Sequence, residues 1–92
     1  MIKEFSDKET KAIWNGHRSR LPSDICILSL LKLQALDAAV RVEDLRVPPG
    51  NRLEALKGDR AGQHSIRIND QWRICFVWDG TDAHKVEITD YH

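Results

Sequence analysis

Apolar and polar residues alternate most regularly in the second half of the chain. Trp72-Arg-Ile-Cys-Phe-Val-Trp78 is rich in aromatic and β-branched residues, which suit a pleated, half-buried surface, so it reads as a strand. A period of two places Trp72, Ile74, Phe76 and Trp78 on one face and Arg73, Cys75 and Val77 on the other. Two further strands precede it, Leu53–Leu56 and His64–Ile68. The reversals are Lys57-Gly-Asp-Arg-Ala-Gly62 and Asn69-Asp70, both built from turn-forming residues. Asp79-Gly80 signals another hairpin, into a strand Lys85–Thr89 with Val86 and Ile88 facing inward.

The first half carries a helical period instead. After a short strand at Ile2–Phe5, Ser6 suits an N-cap for a helix through Trp14, with Glu9 completing a capping box and Asn15-Gly16 ending it. Ser23 is the expected cap of a longer helix, Asp24–Val40, whose residues Ile25, Cys26, Leu33, Leu36 and Val40 form one apolar arc. Ile27 and Leu31 fall outside that arc, which fits either packing on the first helix or a covering partner. Arg41–Leu45 adds a turn, and Pro48-Pro-Gly-Asn51 breaks the chain before the strands. The pattern is α+β: two N-terminal helices packed on a mostly antiparallel sheet of four to five strands.

Ninety-two residues, 41% hydrophobic and 30% charged, fit one domain over 1–92. No apolar run is long enough to span a membrane, and the early acids do not suit a signal peptide, so a cytoplasmic protein is expected. Cys26 and Cys75 match no metal motif and read as buried, reduced thiols. The net charge is zero, which argues against a strong generic nucleic-acid binder, yet residues 46–73 hold six cations against three acids. That excess allows a local basic strip in which Arg52, Arg60 and Arg67 would contact RNA; on charge alone a solvated mixed surface is the plainer reading.

No metal, phosphate-loop, dinucleotide or serine-elbow motif is present, so neither metal nor cofactor is expected. Acid–base and electrostatic chemistry remains open. RNA is cleavable without a metal because its 2′-OH can attack the adjacent phosphate. The reaction needs a proton acceptor, cations for the phosphorane and a proton donor for the 5′-oxygen. Lys57, Arg73, Asp90, Tyr91 and His92 contain those group types. Each also has a plainer reading: a solvated lysine, an arginine paired with Glu87, and a frayed tail.

Three segments together resemble the HigB branch of the RelE/ParE toxin superfamily. They are Leu56-Lys-Gly-Asp-Arg-Ala-Gly62, Ser65-Ile-Arg-Ile-Asn-Asp-Gln-Trp-Arg-Ile-Cys-Phe76 and the terminal Asp90-Tyr-His92. Met1–Phe5, Leu36–Ala39 and Pro48–Glu54 fit the same branch, so the likeness spans essentially the whole chain. The resemblance implies a microbial-RNase-like fold and a type II toxin that enters the ribosomal A site and cleaves mRNA without a metal. It also implies a HigA-like helix-turn-helix antitoxin, through which the pair would reach operator DNA. On that basis Lys57 and Arg73 would stabilise the reacting phosphate. Asp90, Tyr91 and His92 would supply acid–base function and base stacking, with His92 the first choice for proton transfer. Glu54 stands where some relatives have histidine; it could serve as general base, or pair with Arg52 or Arg73. The alternative on the same scaffold is a non-enzymatic, ParE-like inhibitor of a protein such as DNA gyrase.

Overall fold

A computed structural model describes residues 1–90; Tyr91 and His92 lie outside the described residues. The elements run α1 (Lys8–Trp14), α2 (Ser23–Ala38), β1 (Glu54–Ala55), β2 (Gln63–Arg67), β3 (Trp72–Trp78) and β4 (Ala83–Asp90). The four strands form an antiparallel meander in the order β1-β2-β3-β4, giving the expected α+β architecture. The N-terminal segment flanks β4, with Ile2 bridged to Ala83 and Phe5 to Val86 in parallel. It therefore supplies hydrogen bonds along only the first half of that strand.

Beyond Val86 a side chain takes over. The fully buried Thr10 of α1 accepts the Ile88 N–H on its Oγ1 at 2.9 Å. An unpaired buried amide is costly, so this single hydroxyl fixes α1 against β4. The core lies between the helices and one sheet face. Ile13, Leu33, Leu36, Ile66, Ile74, Phe76 and Val86 form it, with Trp72, Trp78 and Ile88 packed at its edge. Burying each large aliphatic or aromatic side chain contributes about 1.5–3 kcal/mol before entropy is counted. The division of β3 into an apolar and an Arg73-bearing face is as the alternation predicts.

Several local expectations are corrected. Asp7, not Ser6, caps α1, its carboxylate accepting from the Thr10 amide at 3.3 Å. Glu9 consequently closes no capping box; one of its oxygens takes the Ser19 hydroxyl and the Arg20 amide, both at 2.7 Å, and ties down the basic loop. Those donors, the Arg20 amide foremost, hold its pKa below the usual value. Pro22 rather than Ser23 occupies the cap position of α2, with no side-chain cap bond. That helix ends at Ala38, leaving Val40 exposed instead of in the core. The acidic Asp44 stops it there by accepting the amides of Val40 and Arg41.

The first predicted strand shrinks to two residues, and the Lys57–Gly62 reversal contains a 3-10 turn, Gly58–Arg60, rather than a simple tight turn. Ile27 and Leu31 stay 64% and 58% exposed, so packing on α1 does not cover them. Cys75 is buried and Cys26 half-buried, both as free thiols. Among the described residues no helix is long and apolar enough to cross a membrane.

Candidate active site

Helices cover one sheet face; the other carries the candidate chemistry. Register sets its layout, because residues opposite each other in an antiparallel pair point to the same side. Glu54 lies opposite Ser65, Ser65 opposite Cys75, and Cys75 opposite Glu87, forming one cross-strand row. The next row is Arg67, Arg73 and Thr89. A register shift between Cys75 and Val77, with Lys85 at φ 50°, lets both Ala83 and Val86 face the core although they are three residues apart. It also keeps Glu87 on the open face.

Arg73 is the anchor of this face. Only 7% exposed, its guanidinium needs partners, since a buried charge without them is strongly unfavourable. Its Nε donates to Ser65 Oγ at 2.9 Å, and Nη2 donates to the Arg52 carbonyl at 2.8 Å. Glu54 Oε1 is 3.7 Å from the same Nη2, with its side chain half exposed. The Arg52 carbonyl is presented by a left-handed residue, φ 45°, that closes the 3-10 turn Pro49–Asn51. Asn51 stabilises that turn from inside, its buried amide donating to the carbonyls of Leu45 and Val47 while its oxygen accepts from Lys32. The Asn51-braced loop thus delivers both Arg52 and Glu54 to Arg73.

The expected Arg73–Glu87 pair is replaced by another. The 3-10 turn folds Arg60 back over the sheet, where Nη1 donates to Glu87 Oε1 at 2.7 Å and to Gln63 Oε1 at 3.0 Å. Arg60 thereby spans from β2 to β4 above β3. Arg67 forms an ion pair with Asp70 in the β2–β3 turn. Lys57 precedes the 3-10 turn, exposed; its carbonyl accepts from the Arg60 amide at 3.3 Å, and its ammonium makes no hydrogen bond or ion pair among the described residues. It stands beyond the end of β1 instead of on a strand beside Arg67 and Arg73.

Asp90, the last described residue, shares the alternation of Val86 and Ile88 yet is exposed; its carboxylate accepts from Gln71 Nε2 at 3.1 Å. The structure therefore gathers Glu54, Arg73, the Arg52 backbone, Arg60 and Arg67 on one face, with Lys57 and Asp90 at separate ends. Ser65, Gln63 and Glu87 are partners that sequence reasoning did not place in the site. For Ser65 and Gln63 the available signal was their period-two parity with Arg67 along β2; Glu87 reads from the sequence only as a partner of Arg73. Among the described residues no cluster of three His, Cys, Asp or Glu side chains could hold a metal ion.

Fixed guanidiniums beside a half-exposed carboxylate can bind an anion and accept a proton next to it. Residues 3–92 match the family model for the RelE-like toxin of the type II toxin–antitoxin system HigB. The chain is 45% identical to Toxin HigB-1 of Vibrio cholerae serotype O1 over 94 residues, covering 92% of this chain and 99% of that protein. It is 36% identical to Endoribonuclease HigB of Proteus vulgaris, with both chains covered in full. These matches place the chain in the HigB family of RelE-like toxins, the toxin half of type II toxin–antitoxin systems, whose partner is an antitoxin.

Proposed function

We propose that this chain is a metal-independent endoribonuclease that cuts mRNA on the ribosome and so arrests translation. The observation that carries the reading is Arg73, a buried cation held by Ser65 and the Arg52 carbonyl with Glu54 beside it. A relative similar over its whole length is named an endoribonuclease, which supports the same reading. The reactive phosphate would lie over Arg73, with Arg60, Arg67 and Lys57 contacting neighbouring phosphates. Glu54 takes the 2′-OH proton as the 2′-oxygen bonds to phosphorus. The P–O5′ bond breaks, and the leaving 5′-oxygen takes a proton from the C-terminal group, His92 being first choice. The products are a 2′,3′-cyclic phosphate and a free 5′-OH.

Preorganised donors act most strongly where negative charge grows, and a fixed guanidinium needs no reorientation when the phosphorane forms. Asp90 and Tyr91 would complete the site, Asp90 through hydrogen bonding and Tyr91 through base stacking. Arg60 and Arg67 already hold carboxylates, so the face is neither strongly basic nor suited to tight binding of free RNA. That balance favours a substrate presented by the 70S ribosome. The proposed antitoxin is a HigA-like helix-turn-helix protein, which would contact operator DNA, and the site of action is the cytoplasm. The family match does not favour the ParE-like inhibitor.

Mapping transcript 5′ ends after induction in a bacterial host tests the reading. New 5′-OH ends within translated regions should appear with wild type and vanish with Arg73→Lys. Growth arrest with intact messages and inhibited gyrase supercoiling would replace it with the inhibitor.

A further inference from the structure

On the open sheet face Arg60, Arg67 and Arg73 each lie against a carboxylate of the same chain. Glu54 stands 3.7 Å from Arg73, Asp70 pairs with Arg67, and Glu87 holds Arg60. These three acids are not equivalent. Glu54 is half exposed and has the part of proton acceptor in the reaction proposed above. Asp70 is 98% exposed in its own turn, three residues from its partner, so it moves into water at little cost. Glu87 has neither that part nor that freedom.

Its side chain is 27% exposed, and that of Arg60 36%. Arg60 Nη1 donates to Glu87 Oε1 at 2.7 Å, the length of a charge-assisted hydrogen bond. Gln63 Oε1 accepts from the same nitrogen at 3.0 Å and keeps Arg60 lying over β3. Glu87 is opposite Cys75, in the row next to that of Arg73. Rows two residues apart are separated by about 7 Å along a strand. An RNA strand whose reacting phosphate lies over Arg73 therefore brings a neighbouring phosphate toward Arg60 and Glu87. A carboxylate in that place offers Arg60 the kind of two-oxygen anion that a phosphodiester would, and it repels the phosphate itself.

We propose that Glu87 is a specificity-determining residue, occupying Arg60 in place of a substrate phosphate and so turning away single-stranded RNA that nothing else holds against the face. The proposal rests on the endoribonuclease reading and adds to it the residue that selects for presented message. RNA free in solution must displace Glu87 with its own binding energy. RNA already confined by the ribosome needs only to exchange one anion for another on Arg60. The competing part for Glu87 is to brace Arg60 for phosphate contact, and it carries the opposite sign. Removing the carboxylate would then loosen Arg60 and weaken RNA binding.

The test is fluorescence anisotropy of the full chain with a short single-stranded RNA methylated at its 2′-oxygens, which binds but offers no nucleophile. Glu87→Gln keeps an oxygen for Arg60 to donate to and removes the charge. It should bind this RNA at least about fivefold more tightly than wild type. The slope of log K against log salt should steepen by about 0.7, the value of one added phosphate contact on a single strand. Asp24→Asn removes the same charge from α2, on the helical side of the sheet, and should leave the affinity unchanged. In an Arg60→Gln background, Glu87→Gln should bring no gain. Unchanged or weaker binding by Glu87→Gln would overturn the proposal. So would an equal gain from Asp24→Asn, or a gain that persists without Arg60. Tighter binding by Glu87→Gln, with a wild type that cuts no message even on ribosomes, would uphold Glu87 as the barrier to RNA and reject the nuclease.

Discussion

Glu54 and Arg73 belong to strands that are not neighbours, yet their side chains meet at 3.7 Å, with Ser65 on the strand between them holding the Arg73 Nε. The arrangement gives one carboxylate two fates. It can screen the cation from substrate, or take a proton from a nucleophile placed over that cation.

Replacing Glu54 separates these fates. Glu54→Gln keeps size and hydrogen-bonding capacity but removes the proton acceptor. Stability should stay within about 0.5 kcal/mol, since the carboxylate is half exposed and its pair is screened. Cleavage should fall about 10²–10⁴-fold, the usual contribution of a general base. Equal or faster cleavage would mean that Glu54 only repels phosphate.

Arg73 has a structural and a chemical part to its role. Arg73→Lys retains the charge but cannot donate simultaneously toward Ser65 and the Arg52 carbonyl with one planar fork. A destabilisation of about 1–3 kcal/mol is expected from the unpaired partners, read by urea denaturation. Cleavage by the folded variant should drop at least about 100-fold. A Ser65→Ala variant should lose activity in the same direction but less, because the arginine remains.

Thr10 lies far from the site yet closes the hydrogen-bond account of β4. Thr10→Val preserves shape and strands the Ile88 amide inside the protein. The expected cost is about 1–3 kcal/mol in chemical denaturation. An unchanged midpoint would show that the amide finds another acceptor.

His84 links β4 to two acids, with Nε2 2.6 Å from Asp79 and Nδ1 3.0 Å from Glu4. The Asp79 contact foremost, then Glu4, raises its pKa above the ordinary histidine value. A raised folded-state pKa contributes stability that is fully present below the unfolded value, about 6.5, and is lost as pH rises through the folded value. Thermal melts of wild type and His84→Gln should therefore differ most in mildly acidic buffer and converge as the pH becomes alkaline. A constant gap would assign the effect to packing.

The strands were legible because their chemistry is local. Trp72–Trp78 forms the predicted strand end to end, and its parity set Arg73 on the face away from the helices. What the sequence hid depends on closure between distant segments. Arg60 reaches Glu87 only because a 3-10 turn folds it back over the sheet, and nothing in Gly58-Asp-Arg60 distinguishes that from a tight hairpin. Capping failed by one residue: Ser6 and Asp7 are both good caps, but the Ser6 amide is already committed to the Val86 carbonyl, keeping that residue with the edge of the sheet. The resemblance to HigB toxins was legible from the motifs, and the family match carries it across residues 3–92. Tyr91 and His92, the other half of the proposed acid–base pair, lie outside the described residues.

The most direct measurement is primer extension on a defined mRNA in a purified translation system, with and without ribosomes, for wild type and Arg73→Lys. Cuts are expected only with ribosomes present, and they should be lost in the variant while it remains folded. Intact message with wild type, or undiminished cutting by Arg73→Lys, would contradict it.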